Sequence, residues 1–304
     1  MDRKAMARET LEIIKNGYYD AGGKRVDIQA LQDDSVKNSF LLTPEQGDEV
    51  LKQCLAEEFT VCCTKEEKAV CTEEQTKIFA EEINAKTVCA EKVKEKMLVW
   101  NCSTVEAILR LHAQGIEVGV LNFASAKNPG GGFINGANAQ EESLAVSGGL
   151  YRTLTVHETY YSKNRECKSM MYTNHAIYSP NVVFFRDERS RLMEEPVTAS
   201  VLTIPAVNMG QVLLKGEDPE KAKQVMRERM KLILSIFARQ NCKHLVLGAY
   251  GCGVFRNDPI DIARWWKELL EKYFYERFET VVFAVLDRSI NGKCIRAFED
   301  EFLQ

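Results

Sequence analysis

The chain has 304 residues and a formal net charge of −4, with 45% hydrophobic and 28% charged residues. This is the balance of a globular protein with a sizeable core, and the length fits one large domain or two small ones. No apolar run reaches about eighteen residues, so no membrane span is expected; no long basic run offers a grip on nucleic acid through backbone charge.

In chain order, Arg3 to Asn16 carries Met6, Leu11, Ile13 and Ile14 and then meets Gly17, a surface helix with a glycine stop. Its amphipathic start does not read as a signal peptide. From Thr43 to about Glu95 the sequence is helical in character and heavily charged. This predicts an N-terminal helical extension over residues 1–95, packed on a core of residues 96–304 as one structural unit. Met97 to Trp100 reads as a strand, and Ser103 with Glu106 has capping-box spacing for a helix ending near Gly115. Val118 to Phe123 and Val201 to Pro205 read as further strands. Asp218-Pro219 opens a long helix with Ala222, Met226, Met230, Ile233 and Phe237 on one stripe. His244 to Ala249 is a strand, Asp258-Pro259 opens another helix, and Thr280 to Asp287 closes the series as a strand.

Strands that are continuous apolar runs are buried on both faces, so their alternation with helices predicts an α/β sheet between helical layers. Ligands in such sheets lie beyond the carboxyl ends of the strands. Two glycine-rich loops stand there. The first is Asn128-Pro129-Gly130-Gly131-Gly132-Phe133, whose glycines allow close approach of main-chain amides to phosphate or sugar oxygens, though a lone triple glycine is as readily a tight connection. The second runs from Gly248 through Gly251, Cys252, Gly253, Val254 and Phe255 to the helix at Asp258. It aims successive amides at an anion, helped by the helix dipole. It lacks the Walker lysine, and G-x-G-x-x-G fails. Two such loops together fit a diphosphate.

Gln140-Glu141-Glu142 follows the triple glycine after a spacer of seven residues. Adjacent helical side chains point roughly 100° apart, so at most one carboxylate stands centrally against a ligand. Acidic residues at a helix start also simply favour the dipole. Ten cysteines form no C-x-x-C, and the four histidines are not paired at helical spacing. Reduced cysteines in an intracellular, cytoplasmic (or, in a eukaryote, nuclear) protein are expected, with no metal and no cofactor. Cys252 is read as structural.

The run NPGGGFINGANAQEESL resembles the signature of poly(ADP-ribose) glycohydrolases, three glycines and then Gln-Glu-Glu at a set distance. AIYSPNVVFFRDE, TIPAVN, LVLGAYGCGVFRNDP and VVFAVLDRS, with ARETLEIIKNGYY near the start, resemble the bacterial and fungal branch of that family. The match is dense from about Met97 onward and weaker over residues 30 to 95. The resemblance implies a macrodomain-like three-layer α/β/α sandwich with a mixed central sheet that binds ADP-ribose. It implies that Gly251 to Phe255 wraps the diphosphate with Phe255 near the distal ribose, and that position 101 or 104 lies near the adenine. Asn101 stands where simple macrodomains carry an acidic residue. Lys127, Arg186 and Arg256 lie in matched segments and are candidates for phosphate or for solvated surface.

The expected reaction is hydrolysis of the ribose–ribose O-glycosidic bond, releasing ADP-ribose from poly(ADP-ribose) on ADP-ribosylated proteins. Glu142 is expected to protonate the leaving 2′ oxygen and then deprotonate water, because adjacent glutamates cannot straddle a sugar ring as paired glycosidase carboxylates do. Glu141 would hold the leaving ribose, and Asn128 the ribose being cleaved. Gly130, Gly131, Gly132 and Gln140 complete the expected contacts. The rivals are an ADP-ribose-binding macrodomain without catalysis, and a hydrolase of single protein-linked ADP-ribose.

Overall fold

The computed structural model describes residues 2–66 and 96–303. Helix α1 (Arg3–Asn16) ends where Gly17 adopts the left-handed conformation and donates its N–H to Ile13 O at 2.9 Å. A hairpin follows, β1 (Tyr18–Ala21) with β2 (Lys24–Asp27), then α2 (Gln29–Asn38), β3 (Phe40–Leu42) and α3 (Pro44–Glu66). The first 66 residues are therefore not a purely helical extension. β3 pairs antiparallel with the core and makes one edge of the main sheet, which a three-residue apolar run between polar helices did not announce. The charged stretch beyond residue 66 and the expected boundary at residue 95 lie outside the described residues.

The core continues with β4 (Met97–Trp100), α4 (Thr104–His112), β5 (Gly119–Ala124), a 3-10 turn (Phe133–Asn135), α5 (Gln140–Ser147), α6 (Leu150–Thr155) and α7 (Glu158–Glu166). Then come β6 (Ala176–Arg186), β7 (Leu192–Pro205), α8 (Met209–Leu214), α9 (Pro219–Arg239), β8 (His244–Leu247), α10 (Pro259–Tyr273), β9 (Thr280–Ala284) and α11 (Lys293–Phe302). The caps read from sequence form as hydrogen bonds. Ser103 accepts from Glu106 N, Asp218 from Glu220 N and Lys221 N, and Asp258 from Ile260 N. The strand expected at Val201 to Pro205 is the final third of the fourteen-residue β7, half of a long hairpin with β6.

Seven strands form one mixed sheet in the order β3-β6-β7-β5-β8-β9-β4, with β3, β6 and β7 antiparallel and the remaining pairings parallel. Alternate residues of the parallel strands enter different cores, as the two-residue period requires. Leu121, Leu245 and Phe283 pack with Met226, Ile233 and Trp266 of α9 and α10, while Val120, Val246 and Val282 pack with Ile108 and Leu144 of α4 and α5. The result is a macrodomain-like three-layer α/β/α sandwich. Among the described residues no helix is long and apolar enough to cross a membrane.

α1 is fastened to this sandwich by charge and packing. Arg186 is 2% exposed and donates to Glu9 at 2.6 Å and to the Ser190 carbonyl at 3.2 Å. The phosphate role considered for Arg186 is thereby corrected. Its guanidinium is spent tying α1 to β6, a pairing between residues 177 positions apart that no local pattern could reveal.

Candidate active site

The carboxyl ends of β4, β5, β7, β8 and β9 open on one cleft of about 900 Å³. Its walls are drawn from the segments that follow those strands, among them Cys102 to Thr104, Ser125, Asn128, Pro129, Gly131, Gly132, Asn138 to Glu142, Ala206, Gly251 to Phe255, and Val285 to Leu286. The glutamates, Asn128, Gln140 and the loop residues proposed from sequence line it except Gly130, which is buried just beneath; of the further candidates Thr104 lines it, whereas Asn101, Lys127, Arg186 and Arg256 do not.

The triple-glycine turn is built around the two carboxylates. Ser125 Oγ accepts the amides of Lys127 and Asn128, and Gly131 N–H donates to Asn128 O, closing the turn. Gly131 has φ +60°, and a Cβ there would stand 2.3 Å from Glu142 Oε1 and 3.1 Å from Glu141 Oε2. Only glycine lets the backbone approach both acids so closely.

The two glutamates differ sharply. Glu141 is 2% exposed. Its Oε2 accepts the Ser125 amide at 2.6 Å, and its Oε1 accepts Asn122 Nδ2 at 3.2 Å. Burial pushes its carboxyl up to about 8, against the two hydrogen bonds, which favour the ionised form, and with a smaller contribution from the neighbouring Glu142 charge. Glu142 is half-buried at the cleft surface; its Oε1 accepts Gly132 N–H and its Oε2 accepts Ala139 N–H, both at 2.9 Å. Each oxygen retains a further lone pair.

Gln140, expected among the substrate contacts, turns its amide to the chain. Its Oε1 accepts Phe123 N–H at 2.8 Å, and its Nε2 donates to Leu121 O at 2.8 Å and to Thr104 Oγ1 at 3.2 Å. It thereby seats the first turn of α5 on β5, and so aims Glu141 and Glu142. Thr104 lines the cleft, whereas Asn101 exchanges hydrogen bonds with the Asp287 main chain at 3.1 and 3.3 Å, clipping the loop after β9 to the loop after β4.

The second loop is anchored at its base. Gly251 has φ +73°, and a Cβ on it would meet Ala206 Cβ at 2.7 Å and Asn257 Nδ2 at 2.6 Å. Asn257 Nδ2 donates to Val207 O at 2.8 Å and to Gly251 O at 3.0 Å, binding this loop to the end of β7. Phe255 packs on Tyr172 with ring centroids 6.1 Å apart, and its carbonyl accepts Gly210 N–H. Burial pushes the Cys252 thiol well above its ordinary range, the condition of an inert packing residue.

Sequence reasoning missed the support beneath the acids. Asn122 also donates to Thr203 Oγ1 at 3.1 Å, and the Tyr160 hydroxyl donates to Ser125 O at 3.4 Å. Arg229 of α9, 1% exposed, donates to Asn174 Oδ1 at 2.9 Å and to Pro205 O at 2.8 Å behind the end of β7. The available signals were a polar Asn122 inside an apolar strand and an arginine beside the apolar stripe of α9.

Fold and site together define a macrodomain-like protein whose glycine loop carries a buried acid and an accessible carboxylate at the head of a helix. The family model of the microbial-type poly(ADP-ribose) glycohydrolase catalytic domain matches residues 7–187. Among solved structures, poly(ADP-ribose) glycohydrolase from Thermomonospora curvata is 34% identical, with 98% of each chain covered and a TM-score of 0.82. The same protein bound to the inhibitor ADP-HPD gives 0.81 at the same identity and coverage. The Deinococcus radiodurans glycohydrolase in complex with ADP-ribose is 36% identical over 89% of this chain and 96% of that one, with a TM-score of 0.71. No curated protein matches the chain by sequence. The chain belongs to the microbial-type poly(ADP-ribose) glycohydrolase family.

Proposed function

We propose that this protein hydrolyses the ribose–ribose bonds of poly(ADP-ribose), releasing ADP-ribose, with Glu142 as the acid and base. The observation that carries the reading is the pairing under the first glycine loop of one sealed and one accessible carboxyl. An acid–base catalyst must reach the leaving oxygen and then water, and Glu142 faces the cleft while backbone amides hold both its oxygens in place. Glu141, whose burial favours its protonated form, shapes the floor on which the ribose rests. The diphosphate, held by the amides of Gly251 to Phe255, brings negative charge toward the oxocarbenium-like transition state. Asn128 at the rim orients the ribose being cleaved. ADP-ribosylated proteins inside the cell supply the polymer.

One observation favours a second assignment. A carboxyl that retains its proton to about pH 8 is itself equipped to act as the acid. Its 2% exposure and its bonds to Ser125 and Asn122 stand against this, since it would have to leave them to reach the substrate.

The test is release of free ADP-ribose from long automodified chains by the unmodified protein, Glu142→Gln and Glu141→Gln. Turnover is expected to fall about a thousandfold in Glu142→Gln with ADP-ribose affinity retained, and by clearly less in Glu141→Gln. The reverse order would transfer the acid role to Glu141. Tight ADP-ribose binding without release by the unmodified protein would leave a reader of ADP-ribose. Cleavage of single protein-linked ADP-ribose but not of polymer would make it a mono-ADP-ribosyl hydrolase.

A further inference from the structure

A second cavity of about 390 Å³ adjoins the cleft, and Ser103, Asn138, Glu142, Ser143 and Leu286 line both. Its other walls come from the start of α1, the outer side of α5, the β6–β7 turn and Arg288 after β9. The two spaces differ in charge. Among the described residues lining the main cleft there is no lysine or arginine, whereas the second cavity is lined by Arg3, Arg189 and Arg288. Its acids are largely occupied. Asp187 accepts from the Arg191 guanidinium at 2.7 Å and from the Arg189 and Arg191 amides, and Glu188 lies 3.5 Å from Arg189. Arg3 and Arg288 have no carboxylate partner among the described residues. Met6, Val105, Phe133 and Val146 add an apolar face, and α1 is held in place by Ala7 against Phe133 and by Thr10 donating to Val146 O at 2.7 Å.

We propose that this cavity is a subsite for the neighbouring ADP-ribose unit of the polymer, on the leaving side of the scissile bond, with Arg3 and Arg288 meeting its diphosphate. The inference rests on the glycohydrolase reading above. The cleft takes one unit through backbone amides, so the unit joined through the leaving 2′ oxygen lies beyond Glu142, which is one of the residues both cavities share. That unit carries two phosphate charges and a flat base. Two guanidiniums without a carboxylate partner among the described residues, beside an apolar wall, match those features, since guanidinium binds phosphate bidentately and stacks on rings. The cation that the catalytic cleft lacks is thereby supplied only to a substrate longer than one unit.

The test compares two substrates at low salt: long poly(ADP-ribose), and ADP-ribose carrying a nitrophenyl leaving group on its distal ribose, which has no second unit. In Arg3→Ala/Arg288→Ala, kcat/KM on the polymer is expected to fall about tenfold, and its salt dependence to weaken. The nitrophenyl substrate and ADP-ribose binding are expected to be unchanged. Arg3→Lys/Arg288→Lys is expected to recover part of the polymer rate. Equal loss on both substrates, or no loss on the polymer, overturns the subsite while leaving the glycohydrolase reading intact. Failure of the unmodified protein to cut polymer overturns both.

Discussion

Residues 128–133 and residues 248–257 are both glycine-rich turns that follow parallel strands into the same cleft, but their surroundings differ. At Gly131 the space a side chain would fill is occupied by the carboxylates of Glu141 and Glu142. At Gly253 nothing lies within 4 Å of the corresponding position, and the neighbouring Val254 is 81% exposed. The base of the second loop, by contrast, is packed at Gly251 against Ala206 and Asn257. Glycine in the first loop makes room for the protein's own carboxylates. At the tip of the second it leaves amides open to a ligand. One loop is filled by the protein's own side chains; the other is open at its tip.

Substitutions can break that comparison or sharpen it. The largest effect is expected from Gly131→Ala. The new methyl displaces Glu142 from the Gly132 amide in a conformation that costs a side chain roughly 1–2 kcal/mol, and misplacement by about 1 Å is enough for a hundredfold loss of turnover. Steady-state rates with near-normal ADP-ribose affinity would bear this out; unimpaired turnover would show that the contact with Glu142 does not set its position. Gly251→Ala is expected to act on stability instead, lowering it by about 2–3 kcal/mol in a denaturant melt, because φ is positive and both neighbours are close.

Glu141→Gln sharpens the contrast between the two acids. Folding raises the Glu141 carboxyl from 4.5 to about 8. Between those values the folded state keeps a proton that the unfolded chain has released, so this group's contribution to stability declines as pH rises from about 4.5 to 8. The variant lacks that decline. Its melting temperature relative to the unmodified protein is expected to climb steadily from pH 5 to pH 8, and a flat difference across that range would refute a buried neutral acid. The smallest effect is expected from Gly253→Ala, within about 0.5 kcal/mol in stability. A large change in the absence of ligand would mean that the tip is already packed.

How much of this could be read in advance varied with the range of the forces involved. The helices with local start or stop signals, such as Gly17 after α1, Asp218-Pro219 before α9 and Asp258-Pro259 before α10, were legible because capping acts over three or four residues. The apolar strands β4, β5, β8 and β9 were legible because burial on both faces leaves an unbroken hydrophobic run. The β1–β2 hairpin, β3 and the full β6–β7 hairpin were not. Their sequences mix polar and apolar residues, and β3 is a strand only because it pairs with β6. In the site, both glycine loops and the Gln-Glu-Glu triplet were legible, while the work of Gln140 was not: its amide groups bond to β5 and to Thr104, partners set by packing.

The sequence by itself determined the apolar strands β4, β5, β8 and β9, the capped helices, the two glycine loops and the presence of adjacent acids at a helix start, since periodicity, capping and backbone freedom are local properties of the chain. Tertiary structure alone decided that Glu141 is sealed and Glu142 is not. Neighbouring glutamates on one helix are chemically identical until the end of the central strand β5, with Asn122 and the Ser125 amide, closes over one of them. It also decided that Arg186 pairs with Glu9 and that Arg3 and Arg288 share a wall, because charges brought together across most of the chain leave no pattern along it.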